Sequence, residues 1–171
     1  PALSALAQHL NVQFNPAPAG APARVILNNK DVTDAIRTEK HGALASSVAT
    51  LPRVREQLLA RQRAFRRSPG LVTEGRDMGS VVFPDASIKF FLDASAKERA
   101  QRRYQQLKGK GINVTLADLV DEINERDQRD RSRAVAPLVA AADAIVVDTT
   151  HLGIDAVVSR LEMEVKHWQE K

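Results

Sequence analysis

Ile88-Lys89-Phe90-Phe91-Leu92-Asp93 is a short run of apolar, aromatic and β-branched side chains that ends at an acid, the pattern of a strand. Leu71-Val72-Thr73-Glu74 and Ala144-Ile145-Val146-Val147-Asp148 repeat it. Helical patterns fill the gaps at about 95–108 and 116–132, and a last one follows at 153–169. In that last helix Ile154, Val157, Val158, Leu161, Val165 and Trp168 keep the helical period, which predicts an apolar face. Three strands separated by helices argue for an α/β fold, a parallel sheet joined by right-handed crossovers.

Upstream the pattern changes. Residues 2–10 read as the end of a helix. Val12-Gln13-Phe14 and Arg24-Val25-Ile26-Leu27 are two short strands, separated by a linker of Pro16, Pro18, Gly20 and Pro22 with alanines between. Asn28-Asn29 is a turn into a third strand around Asp31-Val32. Such a three-stranded meander is too small to stand alone. Thr38 caps a helix running to about Thr50, and Pro52 opens another reaching Arg67, which Ser68-Pro69-Gly70 stops. The expected organisation is therefore 1–10 as the end of a helix of the core, 11–67 as an appended lobe, and 68–171 as the remainder of the α/β part.

Composition narrows the chemistry. Hydrophobic content is 43% and charged content 27% over 171 residues, ordinary for a globular protein. The net charge of +4 favours an anionic ligand without requiring a nucleic acid. Cysteine is absent, which excludes disulfides and thiolate chemistry. The first ten residues carry no basic head before an apolar run, and the apolar stretch near Ala134 to Ala142 is about half a membrane span. The expectation is a cytoplasmic protein with no membrane partner. His9, His41, His151 and His167 lack metal-ligand spacing, and no Gly-x-Ser-x-Gly or His-Glu-x-x-His occurs, so hydrolase triads and metal sites find no support.

Two segments carry functional chemistry. In Asn124-Glu-Arg-Asp-Gln-Arg-Asp-Arg-Ser-Arg133, helical spacing puts Arg126, Arg129 and Arg133 on one face with Asp130. A stripe of guanidinium groups with one carboxylate suits gripping phosphate while hydrogen-bonding a sugar hydroxyl. The bland reading is a solvated helix laced with ion pairs. Gly75-Arg76-Asp77-Met78-Gly79 sets an Arg-Asp pair in a glycine-flanked turn after the run Leu71–Glu74, where open α/β sheets bind ligands. It could equally be a tight loop whose charges pair with each other. Together the two suggest a nucleotide site. Helix 95–108 carries Lys97, Arg99, Arg102 and Arg103 and runs into Lys108-Gly109-Lys110-Gly111, as a phosphate-covering lid would and as an exposed helix and turn would.

Four stretches then resemble the bacterial cytidylate kinases in the right order: Ser46 to Arg55, Gly75 to Asp85, Phe91 to Ser95, and Glu125 to Leu138. The resemblance implies a P-loop nucleoside-monophosphate-kinase-like fold, a parallel sheet with flanking helices plus a small three-stranded antiparallel lobe. It makes 11–67 the monophosphate-binding lobe and about 95–133 the lid. The implied activity is phosphoryl transfer from ATP, with Mg²⁺, to CMP or dCMP, by an enzyme that is a monomer and has no nucleic-acid partner. Position by position, it gives Ser46, Arg55 and Asp77 to the cytosine and Arg126 and Asp130 to the ribose. Arg76 and Arg133 go to the acceptor phosphate, Arg126 also near the transferring group, and Arg102 to ATP. Arg76, Arg126 and Arg133 are thus the candidate catalytic residues.

These kinases begin with a strand and a P-loop, G-x-x-x-x-G-K-[ST], and no such motif occurs in these 171 residues. The implication is a chain starting roughly fifty-odd residues into the family's length, with the P-loop and the first strands of the core sheet absent. Mg²⁺ would then be held mainly by ATP and the missing segment, and the chain alone would be inactive. Two other readings stay open, a kinase for another nucleoside monophosphate and a non-catalytic basic module binding RNA or another polyanion. The latter is disfavoured by 4% aromatic content and by acids within every basic stretch.

Overall fold

The computed structural model describes residues 2–15, 23–109 and 111–170, and the chain divides into two units, Pro1–Val72 and Thr73–Lys171. The expected Pro/Ala linker at 16–22 and Lys110 of the expected lid loop lie outside the described residues.

In the first unit α1 (Ala2–Gln8) precedes an antiparallel meander of β1 (Val12–Asn15), β2 (Arg24–Leu27) and β3 (Lys30–Asp31). Asn28 and Asn29, at φ 47° and 64°, make the two-residue turn that asparagine tolerates best after glycine. Arg24 donates from Nε and Nη2 to Asp31 Oδ2 at 2.9 and 2.7 Å. The Thr33 hydroxyl and amide donate to Asp31 Oδ1 at 2.6 and 2.9 Å, closing a knot across the hairpin. Helix α2 (Glu39–Val48) is capped by Thr38, whose hydroxyl accepts from His41 N. Pro52 opens α3 (Pro52–Ala64), against which α1 packs. Phe14 of β1 and Phe65, just past α3, meet edge to face with centroids 5.3 Å apart, leaning the meander on the helices.

Helix α3 ends at Ala64, short of Arg67. Amides of Phe65 and Arg66 fold back to carbonyls three residues earlier, so the last turn tightens before the Pro-Gly stop is reached.

The second unit holds the parallel pair β4 (Phe90–Asp93) and β5 (Ile145–Asp148), in register from Phe90 opposite Ile145 to Asp93 opposite Asp148. Between them run α4 (Ala96–Gly109) and α5 (Leu116–Ser132), and α6 (Ile154–Gln169) follows. Thr115 caps α5 by accepting from Asp118 N. Helices α4 and α5 share a core of Ala100, Leu107 and Leu119, with Tyr104, Ile123 and Val114 packed around it.

One strand expectation is corrected here. Leu71–Glu74 is not a strand. A strand exists by hydrogen-bonding to a neighbour, none of the described residues pairs with this segment, and Val72 is fully exposed. The sheet thus has two described parallel strands where three were expected. Helix α6 forms with the expected period, yet none of its residues is buried, and Ile154, Val158 and Trp168 face solvent. Among the described residues no helix is long and apolar enough to cross a membrane. The architecture is mixed α/β, a parallel pair with flanking helices beside a small antiparallel sheet.

Candidate functional site

Asp130 sits on the last turns of α5 and is 2% exposed. Its carboxylate lies 2.7 Å from Arg76 Nε, 3.8 Å from Arg126 Nε and 3.8 Å from Arg133 Nη1. Helical spacing brings Arg126 and Arg133 to it from within α5. Arg76 comes from the segment before β4. The backbone closes the same corner: Leu138 N donates to Asp130 O at 2.8 Å, and Arg133 Nε donates to that carbonyl at 3.3 Å. To return in this way the chain places Ala136 at φ 52°, a left-handed conformation that costs a residue with a Cβ about 1 kcal/mol.

Asp127, one turn earlier, forms a second centre. Arg99 of α4 binds both its oxygens, and Arg76 Nη1 lies 3.8 Å away. Arg76 therefore stands between two carboxylates. Burial lowers the Arg76 pKa from its ordinary value, as does the neighbouring Arg126 charge, while Asp130 and Asp127 oppose the shift.

Across these ion pairs four guanidinium groups face two carboxylates, two more positive charges than negative. Donors are left over as well. The Arg133 side chain is 7% exposed, and neither its Nη2 nor the buried Nε of Arg126 has a hydrogen-bond partner among the described residues. A buried guanidinium with idle N–H groups and surplus charge is built for oxygen atoms of an anion.

Asp77 is buried beside Arg76, and its carbonyl accepts from Val81 N and Val82 N at 2.9 and 3.1 Å. These bonds start the π-helical turn Met78–Val82, which replaces the plain glycine-flanked turn expected there. A Cβ on Gly75 would stand 2.8 Å from Met78 Cγ, so the Met side chain folds over a position that glycine keeps open.

The site residues read from the sequence separate into three groups. Arg76, Arg126, Asp130 and Arg133 come together, with Asp77 next in the chain to Arg76. Ser46, buried on α2, and Arg55, on α3 with Nη1 donating to Ala49 O at 3.2 Å, belong to the first unit. Arg102 is held apart from the cluster, with Nε on Glu98 and the other nitrogens on Thr149 and the Leu152 carbonyl. Arg129, expected on the arginine face, turns its Nε back to Glu125 O at 3.3 Å. Asp127 takes that place, because it is three residues before Asp130 and lies nearer the cluster's side of the helix.

Asp127 and Arg99 were not singled out by the sequence. Asp127 stood within the charged run and Arg99 within a basic helix, and only their pairing across 28 positions distinguishes them. Among the described residues no three acidic or histidine side chains converge on a point that could hold a metal ion.

The family model for cytidylate kinase matches residues 1–167. The chain is 60% identical over 163 residues to the cytidylate kinase of Pseudomonas entomophila (strain L48), covering 95% of this chain and 72% of that protein. It is 60% identical over 159 residues to that of Pectobacterium carotovorum subsp. carotovorum (strain PC1), covering 93% and 70%. Against that of Pseudomonas syringae pv. tomato (strain ATCC BAA-871 / DC3000) identity is 58% over 164 residues, covering 96% and 72%. With an arginine–aspartate cluster set in an α/β frame and a match running nearly end to end, the chain belongs to the cytidylate kinase family.

Proposed function

We propose that this chain binds CMP or dCMP as the acceptor in phosphoryl transfer from ATP. The reading rests on one observation, the surplus of two positive charges around Asp130 with idle donors on Arg126 and Arg133. A phosphate monoester carries about two negative charges near neutral pH, which matches that surplus. In this reading Arg76 and Arg133 clamp the acceptor phosphate, and Arg126 with Asp130 holds the ribose, Arg126 also reaching toward the transferring group. Ser46, Arg55 and Asp77 read the cytosine, Asp77 by accepting from its amino group. The segment 11–67 acts as the monophosphate lobe and about 95–133 as the lid.

The chemistry asked of these residues is mainly positioning. An oxygen of the CMP phosphate attacks the γ-phosphorus of ATP, the bond to the β–γ bridging oxygen breaks, and CDP and ADP result. Arginines that hold the attacking phosphate in line and neutralise its charge supply most of what such a transfer needs. Arg102 as an ATP contact would have to exchange its bonds to Thr149 and Leu152 for phosphate oxygens. With no G-x-x-x-x-G-K-[ST] among its 171 residues, the chain by itself is read as binding CMP without consuming ATP. CMP-dependent ATP consumption by this chain alone would contradict that part.

Arg133→Ala separates the phosphate contact from everything else. Losing charge-assisted bonds worth about 1.5–3 kcal/mol should weaken CMP about 10- to 150-fold. Cytidine, lacking the phosphate, should bind the variant as it binds the wild type. Calorimetry that found both ligands weakened equally would remove Arg133 from the phosphate site.

A further inference from the structure

Lys89 is 8% exposed, and all three protons of its ammonium group are used. Nζ donates to Pro84 O at 2.6 Å and to the two oxygens of Asp143 at 2.9 and 2.6 Å. The group is saturated inside the protein, so it has no donor left for a ligand.

Its surroundings show what it supports. The stem lies along Gly79, where an added Cβ would stand 3.3 Å from Lys89 Cδ and 3.5 Å from Cγ. Gly79 belongs to the π-helical turn whose first bonds run from Val81 N and Val82 N to the Asp77 carbonyl. Phe83 N closes the turn onto Met78 O at 2.7 Å, and the carbonyl of the next residue, Pro84, is the one Lys89 holds. At the other end Asp143 and Ile145 receive the residue twice, through its side chain and through Lys89 O, which accepts from Ile145 N at 2.9 Å. The lysine is a post. Its foot is fixed where β4 and β5 begin, and the turn that follows Arg76-Asp77 is wound against it.

We propose that Lys89 is a positioning residue that sets Asp77 and Arg76, and through Asp77 the choice of base. The part concerning the base rests on the cytidylate reading above; the part concerning the turn does not. A small displacement of a positioned group carries a large factor, since a misplacement of about 1 Å can cost about 100-fold in rate.

Two readouts on Lys89→Met keep the parts separate. Amide hydrogen exchange at Val81 and Val82 should quicken at least about tenfold, since their bonds to Asp77 O lose the post behind them. The ratio of CMP to UMP affinity, measured by calorimetry beside the wild type, should fall to within about twofold of unity. Should Lys89→Met not fold, Asp143→Ala takes its place, because Asp143 is largely exposed and its loss frees the anchored end of the Lys89 ammonium, with the same quickening expected. Unchanged exchange at Val81 and Val82 in a folded variant overturns the positioning role. Quickened exchange with the wild-type CMP:UMP ratio retained overturns the link to base choice. A wild type that does not distinguish CMP from UMP, with exchange still quickened in the variant, overturns the cytidylate reading and leaves the post standing.

Discussion

Asp130 balances three arginines from a position with almost no access to water. Such a carboxylate is worth most when one asks what its removal leaves behind. Asp130→Asn keeps the shape and takes away the charge, so Arg76, Arg126 and Arg133 would lose the carboxylate they share, Arg76 keeping its contact with Asp127. Breaking a buried ion pair from one side costs about 3–5 kcal/mol, and denaturant unfolding of the variant should show a loss near the lower end of that range. An unchanged midpoint would mean that solvent already neutralises the cluster. At this scale the sequence was readable where partners are near in the chain: Arg126, Asp130 and Arg133 follow from i, i+4 and i+3 spacing on a helix. It was silent on Arg99 with Asp127, and on Lys89 with Asp143, 54 positions apart. Nothing local in either residue's neighbourhood names its partner.

Elements formed where their own sequence contains the stop and start signals. Thr38 caps α2, Pro52 opens α3, and Asn28-Asn29 turns the hairpin, each as residue chemistry dictates. Leu71–Glu74 failed as a strand because strand propensity is a statement about a pairing partner as much as about side chains. The hairpin of β2 and β3 carries its own pH signature. Donation from the Thr33 hydroxyl, then from its amide and from Arg24, lowers the Asp31 pKa from 3.8 to about 2. A carboxylate whose folded pKa is depressed stabilises the fold above its unfolded pKa and loses that contribution as pH falls through the folded value. Asp31 should therefore stabilise the hairpin fully above about pH 4 and lose the effect between pH 3.8 and about 2. Carboxyl chemical shifts followed by NMR would check this. An Asp31 titration centred near 3.8 would show that the knot with Thr33 and Arg24 does not persist in solution.

For the molecule as a whole, a modest net charge of +4 hides an uneven distribution. Around Asp130 the excess is local and partly buried, and on α4 and α6 bases pair with acids, as Arg102 does with Glu98 and Arg160 with Glu164. This distribution suits one small anion better than a polymer, whose phosphates would need a continuous basic track. The α/β frame was legible in the sequence because β4, β5 and the helices between them each carry a clear period. The exposure of the apolar residues of α6 was not, since periodicity identifies a face and never its partner. The most direct test of the account is calorimetric titration of the protein with CMP and UMP under the same conditions. An Asp that accepts from the cytosine amino group should favour CMP over UMP by about 1–3 kcal/mol, or about 5- to 150-fold. Equal affinity for the two nucleotides would contradict the assignment of this site to cytidine monophosphates.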